Sequence, residues 1–143
     1  MAGVDLSPVA VELASSFARA GDGTSFEAGD ALRDGPDPAA FDLVVSSFLL
    51  HHLADDEAVA ALLARGAGAR RGFVHLDIAR SATAHALLAA LARPFCRRRE
   101  AWEDGLTSIR RSFTRAEAAA VAARAAPGSR VEVHWPWRLC ISR

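Results

Sequence analysis

The sequence predicts an α/β fold in which strands alternate with helices and form a mostly parallel sheet, closed at its end by an antiparallel hairpin. Three observations carry that expectation. The apolar runs LVV at residues 43–45 and FVHLDI at 73–78 have the near-continuous hydrophobicity of strands covered on both faces. Stretches of helical periodicity with their own start and stop signals stand between and after the runs, which is the rhythm of crossover connections. From Arg130 onward, polar and apolar residues alternate on either side of Trp135-Pro136, the pattern of two strands joined by a turn.

The elements follow in order. Val4-Asp5 ends a first short strand, with almost no chain before it. Ser7 is a good helix N-cap and Pro8 suits the first helical position, where its missing N–H costs nothing. Val9, Val11, Leu13, Ala14, Phe17 and Ala18 then form an apolar stripe that stops at Gly21-Asp22-Gly23. Residues 24–28 predict a second strand, closed by Gly29-Asp30-Ala31. A loop rich in Asp, Gly and Pro leads to the strand at 43–45, which opens into Ser46-Ser47. A helix over 57–63 ends at Gly66-Ala67-Gly68. Beyond the strand at 73–78, helices are expected over 82–91 and in part of 97–106. Thr114 and Glu117 have the spacing of a capping box for a helix reaching about Ala126.

Composition narrows the function classes. A chain of 143 residues has the length of one domain, here 1–143, and half of its residues are apolar. Seventeen basic and seventeen acidic residues cancel, which argues against a nucleic acid or an anionic membrane held by bulk charge. All the basic residues are arginine, the mark of a coding bias. Cys96 and Cys140 show no pairing pattern, so a reducing, cytoplasmic setting is expected. There is no signal-peptide pattern at Met1, and no apolar run approaches the roughly 20 residues needed to span a bilayer.

Three segments, Gly3-Val4-Asp5-Leu6-Ser7-Pro8, Ala28-Gly29-Asp30-Ala31 and FDLVVSSFLLHHL at 41–53, resemble the class I S-adenosylmethionine-dependent methyltransferases. A looser likeness, from Asp104 through Leu139, is to small bacterial methyltransferases found beside polyketide pathways. The resemblance implies a Rossmann-like methyltransferase fold and S-adenosylmethionine as cofactor. It implies a small-molecule methyl acceptor, with an aromatic or polyketide-like hydroxyl as one possibility. This sequence departs from the family at its start: the first strand, the glycine-rich loop and the helix after it have no counterpart before Asp5. In the family that strand lies in the middle of the sheet. The expectation is therefore a partial fold, an N-terminally truncated chain with impaired activity, and free strand edges that could pair with another copy. Whether the strands flanking the gap close up or stay apart is not readable from sequence.

Candidate site residues divide by origin. A carboxylate at a strand end, such as Asp5, can accept hydrogen bonds from both hydroxyls of a ribose, with Leu6 beside it. Its alternative is a helix-start carboxylate favouring the helix dipole. The resemblance implies that Asp30 receives an adenine amino group, with the backbone of Ala31 completing recognition; the alternative is an Asx turn. It also implies that Ser46, Ser47 and Phe48 touch the methionine part of the cofactor. His51 and His52 lack a third ligand at useful spacing for a metal. One of them could be a general base near pH 7, or a helix-entry histidine satisfied by backbone or by Asp55. Asp77 and Arg80 read as an internal ion pair, Arg97-Arg98-Arg99 near Arg93 as a solvated helix face, and Trp102, Trp135 and Trp137 as packing residues. Two other classes stay open: a non-catalytic interaction module, and a nicotinamide-dependent oxidoreductase, which shares the ribose-binding acid but needs the same missing glycine loop.

Overall fold

The computed structural model describes every residue except Ala20, Ala54, Arg93, Phe95 and Arg97. Its order begins with β1 (Ala2–Asp5), α1 (Pro8–Phe17) and β2 (Ser25–Ala28). There follow β3 (Val44–Ser47), α2 (Asp56–Gly66), β4 (Phe73–Ile78), α3 (Ala82–Leu87), α4 (Arg99–Arg111), α5 (Arg115–Ala125), β5 (Arg130–His134) and β6 (Arg138–Ser142). Local chemistry sets most of these boundaries. Ser7 accepts the Ala10 N–H at the start of α1, and Asp55 accepts the Ala58 N–H at the start of α2. The capping box is present in both directions: the Thr114 hydroxyl accepts from the Glu117 N–H, and the Glu117 carboxylate accepts from the Thr114 N–H. The helix expected over 82–91 is α3 continued by a π-helical turn, Leu88–Ala92.

The strands form two sheets. β1 and β2 pair in parallel as one. The other has the order β3-β4-β6-β5, with β3 and β4 parallel and the closing hairpin antiparallel. Among the described residues β1 and β3 do not pair, so the strands on either side of the gap stay apart. The partial α/β fold with its antiparallel hairpin is thus as expected, but the parallel layer is divided.

The core lies on one face of the four-stranded sheet. Phe73, Leu139, Ile141 and Val131 pack there with Val59, Leu62 and Leu63 of α2 and with Ala118, Val121 and Ala122 of α5. The same register puts His75 and Asp77 on this face, fully buried. The opposite face is open, which corrects the expectation of strands covered on both sides. Val45 is 61% exposed and Leu76 39%. In α1, residues Val9, Leu13 and Phe17 form an i, i+4, i+8 apolar stripe that is also exposed, because the helix rests on β1 and β2 through its other side. Trp135 is 91% exposed at the hairpin turn, whereas Trp137 packs against the core and Trp102 donates its indole N–H to the Leu88 carbonyl at 3.2 Å. Only Trp135 departs from the packing role.

Candidate functional site

A cavity of about 770 Å³ opens between the two sheets. Asp5, Leu6, Asp30, Ala31, Ser46, Ser47 and Phe48 all line it, together with His52 and His75. Each of the first seven stands at or just beyond the carboxyl end of a strand, where the chain leaves the sheet and side chains turn toward one rim. The sequence-predicted residues therefore converge on a single space, although two sheets rather than one supply them.

The two carboxylates shape their own loops. Asp5 Oδ1 accepts the Ser7 N–H at 2.7 Å, and Asp30 Oδ1 accepts the Leu32 N–H at 2.8 Å. Both are Asx-type turns, so the structural reading of Asp30 holds whatever else the residue does. Asp34 Oδ2 accepts the Asp30 N–H at 3.0 Å and stiffens the same loop. Among the described residues Asp5 Oδ2 has no hydrogen-bond partner, and the residue is exposed, so one oxygen remains for a ligand. At Asp30, Oδ2 lies 3.8 Å from the exposed Arg33 guanidinium.

Ser46 and His75 meet inside the cavity wall. The parallel register sets them side by side on β3 and β4, with Ser46 Oγ and His75 Nδ1 2.7 Å apart in a hydrogen bond. His75 stacks on Phe73, and its Nε2 has no hydrogen-bond partner among the described residues. Burial pushes the imidazole down to about 4, so it is neutral near pH 7. Phe48, the next residue after β3, has a φ of 56°, a conformation in which a bulky side chain is strained. Its N–H still donates to the Leu76 carbonyl at 2.8 Å, and the Arg138 guanidinium lies 5.0 Å from its ring centroid. The strained residue stands on the cavity rim.

His51 faces elsewhere. It lines a neighbouring cavity of about 450 Å³ with His52, Asp55, Arg80, Arg111 and Glu117. Its partner is Asp77, not Asp55: His51 Nδ1 lies 2.6 Å from Asp77 Oδ1, and the His51 N–H donates to Asp77 Oδ2 at 3.1 Å. Both residues are buried. Asp77 thus grips the histidine at two points and keeps the proton on Nδ1, leaving Nε2 with a lone pair in the neutral ring. The expected Asp77–Arg80 ion pair does not form; Arg80 pairs with Glu117 instead. The two histidine rings lie 4.1 Å apart within the turn Leu50–His52, and His52 and Leu53 border both cavities. Of the arginine patch, Arg93 and Arg97 lie outside the described residues, and Arg99 pairs with Glu103 within α4 at 2.7 Å.

His75 and the pairing role of Asp77 were the residues missed by sequence reasoning. A histidine or aspartate within an apolar strand is a visible signal, but its partner is fixed by strand register and loop course, which the sequence does not display.

Residues 1–66 match the family described as "Methyltransferase domain". No curated protein matches the chain. Among solved structures, the chain is similar to human N-acetylserotonin methyltransferase in complex with SAM, at 15% identity and a TM-score of 0.58, over 99% of this chain and 38% of that one. It is similar to the PH0226 protein from Pyrococcus horikoshii at 14% identity and a TM-score of 0.64, over 99% of this chain and 69% of that one. It is also similar to plantazolicin methyltransferase BpumL, in complex with triazolic desmethylPZN analog and SAH, at 12% identity and a TM-score of 0.62. That match covers 92% of this chain and 49% of the other. These likenesses show a shared fold, and the chain spans well under half the length of the human enzyme.

Proposed function

We propose that this chain, whose fold is that of the class I methyltransferases, belongs to an S-adenosylmethionine-dependent enzyme that methylates a hydroxyl of a small molecule. The observation that supports it most is the convergence of Asp5, Asp30 and the 46–48 segment on one cavity at strand carboxyl ends. The residues fit the cofactor. The exposed Asp5 carboxylate suits a ribose diol, and Asp30 Oδ2 with the backbone of Ala31 suits an adenine edge. The small side chains of Ser46 and Ser47 let a ligand approach the main chain. When bound, the cofactor supplies a methyl group already activated by its sulfonium.

The protein's own contribution is alignment and removal of one proton. His51 Nε2 is the base in this reading, taking the proton of an acceptor hydroxyl from the smaller cavity. Asp77 holds the ring in the tautomer that leaves Nε2 free and stabilises the imidazolium that follows. His52, bordering both cavities, stands between cofactor and acceptor spaces. The neutral, buried His75 has no part in proton transfer near pH 7 and holds Ser46 in place.

The reading is tested by titrating S-adenosylhomocysteine into the isotope-labelled chain and following amide shifts. Changes should centre on residues 5, 30–32 and 46–49. Asp5→Asn should weaken binding by roughly 10-fold or more, the worth of a hydrogen bond to a charged group, about 1.5–3 kcal/mol. Shifts spread over the open sheet face, or an unchanged affinity in the variant, would remove the cofactor assignment. The edges of β1 and β3, unpaired with each other among the described residues, favour a second reading, an interaction module.

A further inference from the structure

Asp5 ends β1 and Asp30 follows β2, whereas Ser46, Ser47 and Phe48 end a strand of the larger sheet. No strand pairing joins the two sheets among the described residues, so other contacts must set one half of the cavity against the other. One of these is apolar: Leu32 packs against the core. The polar ones come from Arg65. Its Nη2 donates to the Gly35 carbonyl, and to the Pro36 carbonyl at 2.8 Å. Among the described residues, these are the hydrogen bonds that tie residues 1–36 to the rest of the chain.

Arg65 stands in the last turn of α2, where the helix dipole already favours a cation without any further partner. Its reach to the 35–36 loop therefore asks for a reason. An apolar contact such as that of Leu32 brings two surfaces together without fixing the angle between them. A planar guanidinium nitrogen bonded to successive carbonyls fixes distance and direction together, and the charge strengthens both bonds. The loop is fitted to this approach. A Cβ on Gly35 would stand 3.3 Å from Arg65 Nη2 and 3.3 Å from the Ala31 carbonyl oxygen.

The loop is braced from there back to the site. Asp34 Oδ2 accepts the Asp30 N–H at 3.0 Å, and the Asp30 carbonyl accepts the Asp34 N–H at 2.7 Å and the Arg33 N–H at 3.0 Å. A position set at Gly35 and Pro36 is thus passed to Asp30 and Ala31. At the other end, Val59, Leu62 and Leu63 seat α2 in the same core as Phe73 of β4, and β4 holds β3 by parallel pairing. Arg65 itself borders the larger cavity.

We propose that Arg65 is a positioning residue: by gripping the Gly35 and Pro36 carbonyls it sets the Asp5–Asp30 half of the cavity in register with the Ser46–Phe48 half. For its ligand the assignment rests on the cofactor reading above; its geometric part stands apart from it. A ligand that spans both halves gains from their fixed spacing as a two-point binder gains from a rigid linker. A ligand confined to one half gains nothing from it.

The test compares S-adenosylhomocysteine, which reaches both halves in this reading, with adenosine, which reaches only the first. Arg65→Met keeps the apolar stem and removes the donors. It should weaken S-adenosylhomocysteine by roughly tenfold or more and adenosine by no more than about twofold, followed by amide shifts. Arg65→Lys, which still carries donors, should restore much of the loss. Residual dipolar couplings of the unliganded chains provide the second readout. One alignment tensor should fit both sheets in the native chain, and Arg65→Met should need two. Arg65→Gln replaces Arg65→Met if the latter does not fold. A single tensor in the variant would overturn the proposal, as would an unchanged affinity for S-adenosylhomocysteine. Equal weakening of both ligands would also overturn it, since Arg65 would then act on the nucleoside site alone. A native chain that binds neither ligand removes the cofactor reading, and the couplings then decide the register on their own.

Discussion

His75 lies in the middle of β4 with no exposed surface, and burial pushes its imidazole from an ordinary 6.5 to about 4. The unfolded chain binds a proton at this residue below pH 6.5 while the folded chain binds it only near pH 4. Folding stability is therefore fully present above pH 6.5, falls as the pH drops through the window from 6.5 to 4, and levels below it. A displacement of this size corresponds to roughly 3 kcal/mol. Denaturation in urea at pH 7 and pH 4 should show that loss in the native chain and its absence in His75→Gln; equal losses would remove His75 as the cause. Asp77 poses a different residue-scale question. It accepts from His51 Nδ1 at 2.6 Å, from the His51 N–H at 3.1 Å and from the Ile78 N–H at 2.6 Å. Asp77→Ala strands these buried donors and should cost roughly 2–4 kcal/mol. Nitrogen NMR of His51 should show the proton on Nδ1 in the native chain and a mixed tautomer in the variant. An unmoved tautomer would leave Asp77 with a structural role alone.

At the scale of single elements, α5 shows local chemistry at its clearest. The Thr114 N–H is the first cause holding the Glu117 carboxyl below its usual range, with the Thr114 hydroxyl and Arg80 adding to it. Thr114→Ala removes one side of the box and should destabilise the chain by about 1 kcal/mol, read as a lower urea midpoint with an unchanged slope. A neutral substitution would mean that packing of Ala118, Val121 and Ala122 alone holds the helix start. Helix α1 shows the opposite balance. Its cap was plain in the sequence, whereas it ends at Phe17 with Ala18 already extended, ahead of the expected stop at Gly21, and its apolar stripe reads the same whether covered or bare. Periodicity reports that a face is apolar, and only the surroundings decide whether anything meets it.

For the molecule as a whole, the anchoring of the last strand matters as much as the gap. Gly72 has a φ of +104°, and a Cβ there would stand 1.9 Å from the Arg143 carbonyl oxygen. The Arg143 main chain is bonded in both directions to Phe73, so β6 cannot give way without breaking the centre of the sheet. Gly72→Ala should therefore cost more than about 2 kcal/mol, combining an unfavourable φ with a backbone clash. A thermal melt unchanged within a degree would contradict that account. No helix among the described residues is long and apolar enough to cross a membrane.

The sequence by itself determined the elements that local chemistry controls: Ser7-Pro8 starting a helix, the Thr114–Glu117 box, the hairpin around Trp135-Pro136, and the apolar strands at β3 and β4. It also determined which strand ends carry Asp5, Asp30 and Ser46, because each stands where an apolar run gives way to small or polar residues: Asp5 before Ser7-Pro8, Asp30 after Gly29, and Ser46 before Ser47. Tertiary structure alone decided the partners. Strand register put His75 beside Ser46, and loop course gave Asp77 to His51 in place of Arg80. The division of the parallel layer was also a tertiary outcome, since strand pairing joins residues far apart in the chain and no local pattern says whether two edges will meet.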